Sequence, residues 1–167
     1  TEQVEYLTTE GTVEIPNGIE DKQVPVLEYR HSYWTPYLRS QYAAAKRKLN
    51  VVTTDVKYGG AYTFTGGMVH TLGQLANGAH STTEQPCLSD ETVYQNVLAN
   101  VLKILSENPN AKLISVSQDD NMNYCSCAEC TRIAREEGVN GAERHSGPVL
   151  RFVNRIAEAV DEAGYTD

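Results

Sequence analysis

The sequence predicts an α/β fold of parallel strands and covering helices, about the first four βα units of a (β/α)8 TIM-type barrel, with an open parallel α/β sheet as the alternative. Three observations predict it. Short apolar runs alternate with segments of helical period in the order strand, helix, strand, long loop, helix, strand, helix. The polar run Ser117-Gln118-Asp119-Asp120-Asn121 directly follows the clearest strand, at the edge where parallel α/β folds carry their sites. The chain has 167 residues, whereas a complete barrel takes ~250, so it is expected to be roughly the first half of something larger.

Taken in order, Thr1–Asp21 holds two short alternating stretches, Val4–Leu7 and Thr12–Ile15, then the turn residues Pro16-Asn17-Gly18. It is expected to be a linker or the remnant of a preceding domain, with residues 22–167 forming the half-barrel. Val24–Tyr29 has the composition of a buried strand. Thr35-Pro36 opens a helix, since Thr caps well and Pro suits the first helical position. Leu38, Tyr42, Ala45 and Leu49 continue it at helical spacing. Val51–Thr54 predicts a second strand. Lys57–His80 is long, rich in Gly and Tyr, and offers only a short strand near Met68–Leu72; such loops are often functional.

Ser89-Asp90-Glu91 starts the next helix, whose buried stripe is Val93, Val97, Val101 and Leu105. Leu113–Ser117 is the clearest strand. A Cys-rich loop, a short helix near Thr131–Glu137 and a linker at Gly138–His145 follow. Ser146-Gly147-Pro148 opens the last helix, with Val149, Phe152, Val153, Ile156 and Val160 on one face and Gly164 ending it.

Composition narrows the function. The net charge of -8 repels phosphate backbones and anionic lipid, so neither nucleic acid nor membrane is an expected partner. No apolar run approaches the ~20 residues that span a bilayer. The chain opens on Thr1 without Met or a signal-peptide pattern, as expected of a segment processed or cut from a longer protein.

Several residues are candidates for chemistry. Asp119 and Asp120 are candidate catalytic carboxylates, with Asn121 assisting in substrate binding; a solvated acidic turn is the plainer alternative. Adjacent residues in extended chain point opposite ways, so the two do not by themselves form the ~5–9.5 Å pair of glycoside hydrolysis. His70 follows Gly66-Gly67, whose backbone can approach a ligand closely, and is the third catalytic candidate. Arg30 suits a bidentate grip on a sugar carboxylate, and Trp34 suits stacking on a sugar ring. Tyr58, in the Gly- and Tyr-rich stretch, is a further substrate-binding candidate.

The four cysteines are Cys87, Cys125, Cys127 and Cys130. Three lie within six residues, and with Cys87 they meet the four-ligand demand of a structural zinc site. One or two disulfides, or a redox pair in Cys127-Ala128-Glu129-Cys130, stay open as alternatives.

Together these segments resemble a bacterial family, domain of unknown function 4838. The resemblance rests on Ile114–Asn121, the Cys-x-Cys-x-x-Cys run, Ser146-Gly147-Pro148 with Phe152-Val153-Asn154, and the earlier His70-Thr71, Cys87-Leu88-Ser89 and Lys48-Leu49-Asn50. It covers roughly Val24 to the end. The stretch His80–Cys87 is shorter than in that pattern. The family is similar to (β/α)8 glycoside hydrolases that follow an N-terminal domain like that of α-glucuronidases. The resemblance therefore implies a carbohydrate-active domain, a glycoside hydrolase of unspecified substrate acting on a glycan or oligosaccharide, in an extracellular or cell-surface setting. The rival classes are a non-catalytic glycan-binding module and a zinc-stapled interaction domain. A half-barrel would expose strand edges, so self-association is a further expectation.

Overall fold

The computed structural model describes residues 16–20, 22, 24–79, 83–139 and 141–165. The stretches Val4–Leu7 and Thr12–Ile15, and most of the expected linker Thr1–Asp21, lie outside the described residues. The chain divides into two compact units, residues 1–63 and 64–167.

In the first unit, α1 (Thr35–Arg39) and α2 (Gln41–Lys46) take the place of one expected helix. Ser40 interrupts it with extended backbone, and its Oγ accepts from Ala43 N at 3.3 Å, capping α2. A 3-10 turn spans Val56–Tyr58. Neither expected strand is present. Val51–Thr54 closes a turn through Thr54 N to Val51 O at 2.8 Å. The segment at Val24–Tyr29 is irregular, and Val26 is 97% exposed. Near Arg30, Asn50 and Tyr62 the backbone pairs through single bonds, Asn50 N to Arg30 O and Tyr62 N to Asn50 O. The Asn50 side chain takes the next positions, accepting from Arg30 N at 2.8 Å and donating to Glu28 O. An amide side chain thus supplies bonds that a ladder would need.

Among the described residues, the second unit carries four α-helices: α3 (Leu72–Asn77), α4 (Glu91–Glu107), α5 (Ala128–Glu136) and α6 (Ser146–Glu162). Its strands β1 (Phe64–Thr65) and β2 (Leu113–Ile114) pair in parallel, Phe64 opposite Leu113 and Thr65 opposite Ile114. Two strands of two residues are the whole of the sheet among the described residues. The barrel of four βα units and the open-sheet alternative are both overturned by this helix-rich arrangement. The expected strand Leu113–Ser117 stops after Ile114 because Thr71 takes its bonds. Thr71 Oγ1 donates to Ser115 O at 2.7 Å and accepts from Ser117 N at 3.0 Å, and Leu72 N donates to Ser117 O at 2.8 Å.

The core lies where α4 packs on α3 and α6. It holds Leu72, Leu75, Ala76, Tyr94, Val97, Val101, Leu105, Phe152 and Ile156. The buried stripe of α4 falls at the expected period, shifted at its start from Val93 to Tyr94. Asp90 rather than Ser89 caps this helix, its Oδ1 accepting from Thr92 N at 2.8 Å. Tyr94 meets Phe152 edge to face at 6.1 Å. At Gly147 an added Cβ would stand 3.3 Å from Ala134 Cα and 3.1 Å from Glu137 Cβ, so Gly is what lets α6 start hard against α5. No helix among the described residues is long and apolar enough to cross a membrane.

Candidate metal centre

Cys87 sits just ahead of α4, Cys125 and Cys127 in the loop after β2, and Cys130 in the first turn of α5. Folding brings all four sulfurs within 4.8 Å of one another. Cys87 Sγ lies 3.8 Å from Cys127 Sγ and 3.9 Å from Cys130 Sγ. No disulfide joins any of the four, and these separations are far from the ~2.05 Å of a disulfide.

Backbone N–H groups point at the cluster. Cys127 caps α5, its sulfur accepting from Cys130 N at 3.4 Å. Cys127 N–H donates in turn to Cys125. The positive end of α5 adds to the same field. Donation from Cys130 N–H, and then from Ser89, brings the Cys127 thiol down to about 6. Burial pushes Cys125 up to about 12 and raises Cys130 as well. Tyr124 stacks on His145 at 4.2 Å, which pins the cysteine loop to the head of α6.

The expected acidic site has a different character. Asp119 is 5% exposed, and its Oδ2 accepts from Gly73 N at 3.1 Å. Gln85 clasps its backbone, donating through Nε2 to Asp119 O at 2.6 Å and accepting from Asp119 N at 3.3 Å. Asp120 is exposed. Asn121 donates to Glu84 O at 3.3 Å and accepts from Asn123 N at 3.1 Å. His70 has a left-handed backbone with φ 57°, and its Nδ1 stands 3.2 Å from Gln118 O. The structure thus gathers His70, Asp119 and Asn121 around one loop, but as the bonds that hold it.

Arg30, Trp34 and Tyr58 belong to the first unit. Arg30 Nε donates to Lys48 O at 2.6 Å, and its Nη1 to Leu27 O at 2.6 Å and Glu28 O at 2.9 Å. A guanidinium so engaged braces the backbone. Trp34 meets Tyr37 edge to face at 5.0 Å, and Tyr58 lies under Lys57 Nζ at 4.9 Å from its centroid.

Sequence reasoning missed Gly73, Gln85 and Ser89 as parts of this region. Ser89 does carry a signal, standing two residues after Cys87, but its pattern with Asp90-Glu91 equally suits a helix cap. Gln85 carried none.

Beside the cysteines lies an open cleft of about 810 Å³. Glu84, Gln85, Asp90, Asn123, Tyr124 and Ser126 line it, with Cys87 and Cys125 in its wall.

The chain belongs to the family described as Domain of unknown function (DUF4838), whose model matches residues 1–164. That match starts earlier than the Val24 from which the motifs could be followed. No curated protein and no solved structure matches the chain.

Proposed function

We propose that Cys87, Cys125, Cys127 and Cys130 bind a structural zinc ion that staples the loop after β2 to the heads of α4 and α5. The observation that carries this is the spacing of the sulfurs. Four thiolates about 2.3 Å from a tetrahedral zinc stand about 3.8 Å from one another. Two of the separations here are 3.8 and 3.9 Å. Four soft sulfur ligands favour zinc over hard cations. A closed set of four cysteines leaves no coordination position for a substrate, so the role is architectural. Metal analysis of protein purified without chelator tests it. One zinc per chain is expected, with the thiols reacting only after chelation. Protein that neither carries nor takes up zinc would rule the staple out.

The polar cleft beside the staple supports a second reading, in which the domain binds a carbohydrate without cleaving it. Amide, hydroxyl and carboxylate groups with one aromatic face suit sugar hydroxyls and a sugar ring. Asp119, one of the two candidate catalytic carboxylates, is held in structural bonds, which favours binding over hydrolysis by that residue. Calorimetric titration with a panel of neutral and acidic oligosaccharides is the test. Saturable binding that Asn123→Ala and Tyr124→Ala weaken would support it. No saturable binding to any member would remove it.

A further inference from the structure

We propose that Ser89 is a positioning residue for the metal centre, its hydroxyl donating to the metal-bound thiolates; this rests on the zinc reading above. Ser89 Oγ lies 3.3 Å from Cys87 Sγ, 3.4 Å from Cys127 Sγ and 3.3 Å from Cys130 Sγ. One oxygen at hydrogen-bond distance from three sulfurs sits over the face those three define. The backbone N–H of Ser89 also donates to Cys130.

The need for such a donor follows from charge. A divalent ion with four thiolates carries a net charge of about -2. The chain is itself acidic, at -8, and Asp90 stands three residues after Cys87, whereas the charge of Glu129, beside Cys130, is paired with Arg132. Local donors therefore have to offset the excess. The backbone groups of Cys127, Cys130 and Ser89 serve single sulfurs. Once the cysteines are ionised they have no proton to give, so the Ser89 hydroxyl becomes the donor in its contacts with them. It has one proton, which it shares among three acceptors. Outer groups of this kind orient ligands and strengthen metal binding. Ser89 also directly precedes the Asp90 cap, so it ties the metal to the first turn of α4.

The test compares the full chain with its Ser89→Ala and Ser89→Thr variants. Zinc affinity is measured by competition with a chromophoric chelator, and the thiolate-to-metal charge-transfer band is recorded with cobalt in place of zinc. Ser89→Ala is expected to bind the same stoichiometry of metal about 10–100-fold more weakly, with a shifted cobalt band and unchanged stability of the metal-free protein. Ser89→Thr, which keeps the hydroxyl, is expected to restore both affinity and band. Unchanged affinity and band in Ser89→Ala would overturn the proposal. So would a loss that Ser89→Thr shares, or one that follows lowered stability of the metal-free chain. A wild-type chain that takes up no metal would instead overturn the zinc reading, and this inference with it.

Discussion

Gly73 shows how a single missing side chain shapes the second unit. A Cβ there would stand 2.2 Å from Asp119 Oδ2 and 3.1 Å from Ala79 O. Gly73→Ala must therefore push the buried carboxylate away from its N–H donor. Hydrogen bonds to charged groups contribute ~1.5–3 kcal/mol. Gly73→Ala is expected to destabilise the protein by about that amount, read as a lower urea midpoint at unchanged slope. A variant as stable as wild type would show that Asp119 does not hold this contact. Asp119→Ala is expected to cost about as much for the same reason, again by urea unfolding, and an unaltered midpoint would return Asp119 to the pool of free site carboxylates. At this scale the sequence was partly legible. It marked Asp119 as special by its place after a strand. It did not show that the carboxylate is buried under Gly73, because that depends on the path of the chain between His70 and Leu72.

Among elements, the long helices were legible and the strands were not. Helices α4 and α6 are specified by their own stripes, since an apolar face repeated over seventeen residues in each fits little else. The apolar runs Val24–Tyr29 and Val51–Thr54 carry no such constraint. A short apolar run becomes a strand only if a neighbour offers a free backbone edge; the Asn50 side chain takes such positions beside Val24–Tyr29, and within the second unit the Thr71 side chain does the same along Leu113–Ser117. The cysteine cluster was legible as a set, although the strand framework expected to gather it was wrong. The α4–α6 contact carries its own prediction. Arg155 lies over Tyr94 at 3.4 Å from the ring centroid and pairs with Glu91 at 2.8 Å. Arg155 first, and then Gln95, hold the Glu91 carboxyl below its ordinary range. A folded-state value below the unfolded one stabilises above the unfolded value, ~4.3 for Glu, and that contribution is lost as pH falls through the folded value. The gap in Tm between wild type and Glu91→Gln should thus be open at neutral pH and close on acidification, and it should narrow in high salt. A gap of equal size at pH 7 and near pH 3 would mean that charge is not its source.

At the scale of the whole molecule, the cysteine cluster, with the zinc proposed for it, and the apolar core are separate devices. The core residues of α3, α4 and α6 include none of the cysteines. The sulfurs instead join the loop after β2 to the heads of two helices. Removing metal should therefore loosen part of the second unit before it unfolds the rest. Local opening of this kind has its own free energy, smaller than the global one. After chelation, protease is expected to cut first within residues 120–127, where the backbone is held by a few side-chain bonds and, on the zinc reading, the metal. The helical circular-dichroism signal should largely persist, with a lower Tm. Acid should release the metal in the same way, because protons compete with zinc for thiolates, and zinc retention should fall steeply as pH drops. Restoring zinc at neutral pH should restore protection of the loop. If chelation instead abolished all helical signal, the metal would be part of the folding nucleus of the unit and the independence of its apolar core would be refuted. If chelation changed neither cleavage nor Tm, the four sulfurs would be neighbours without a shared ion.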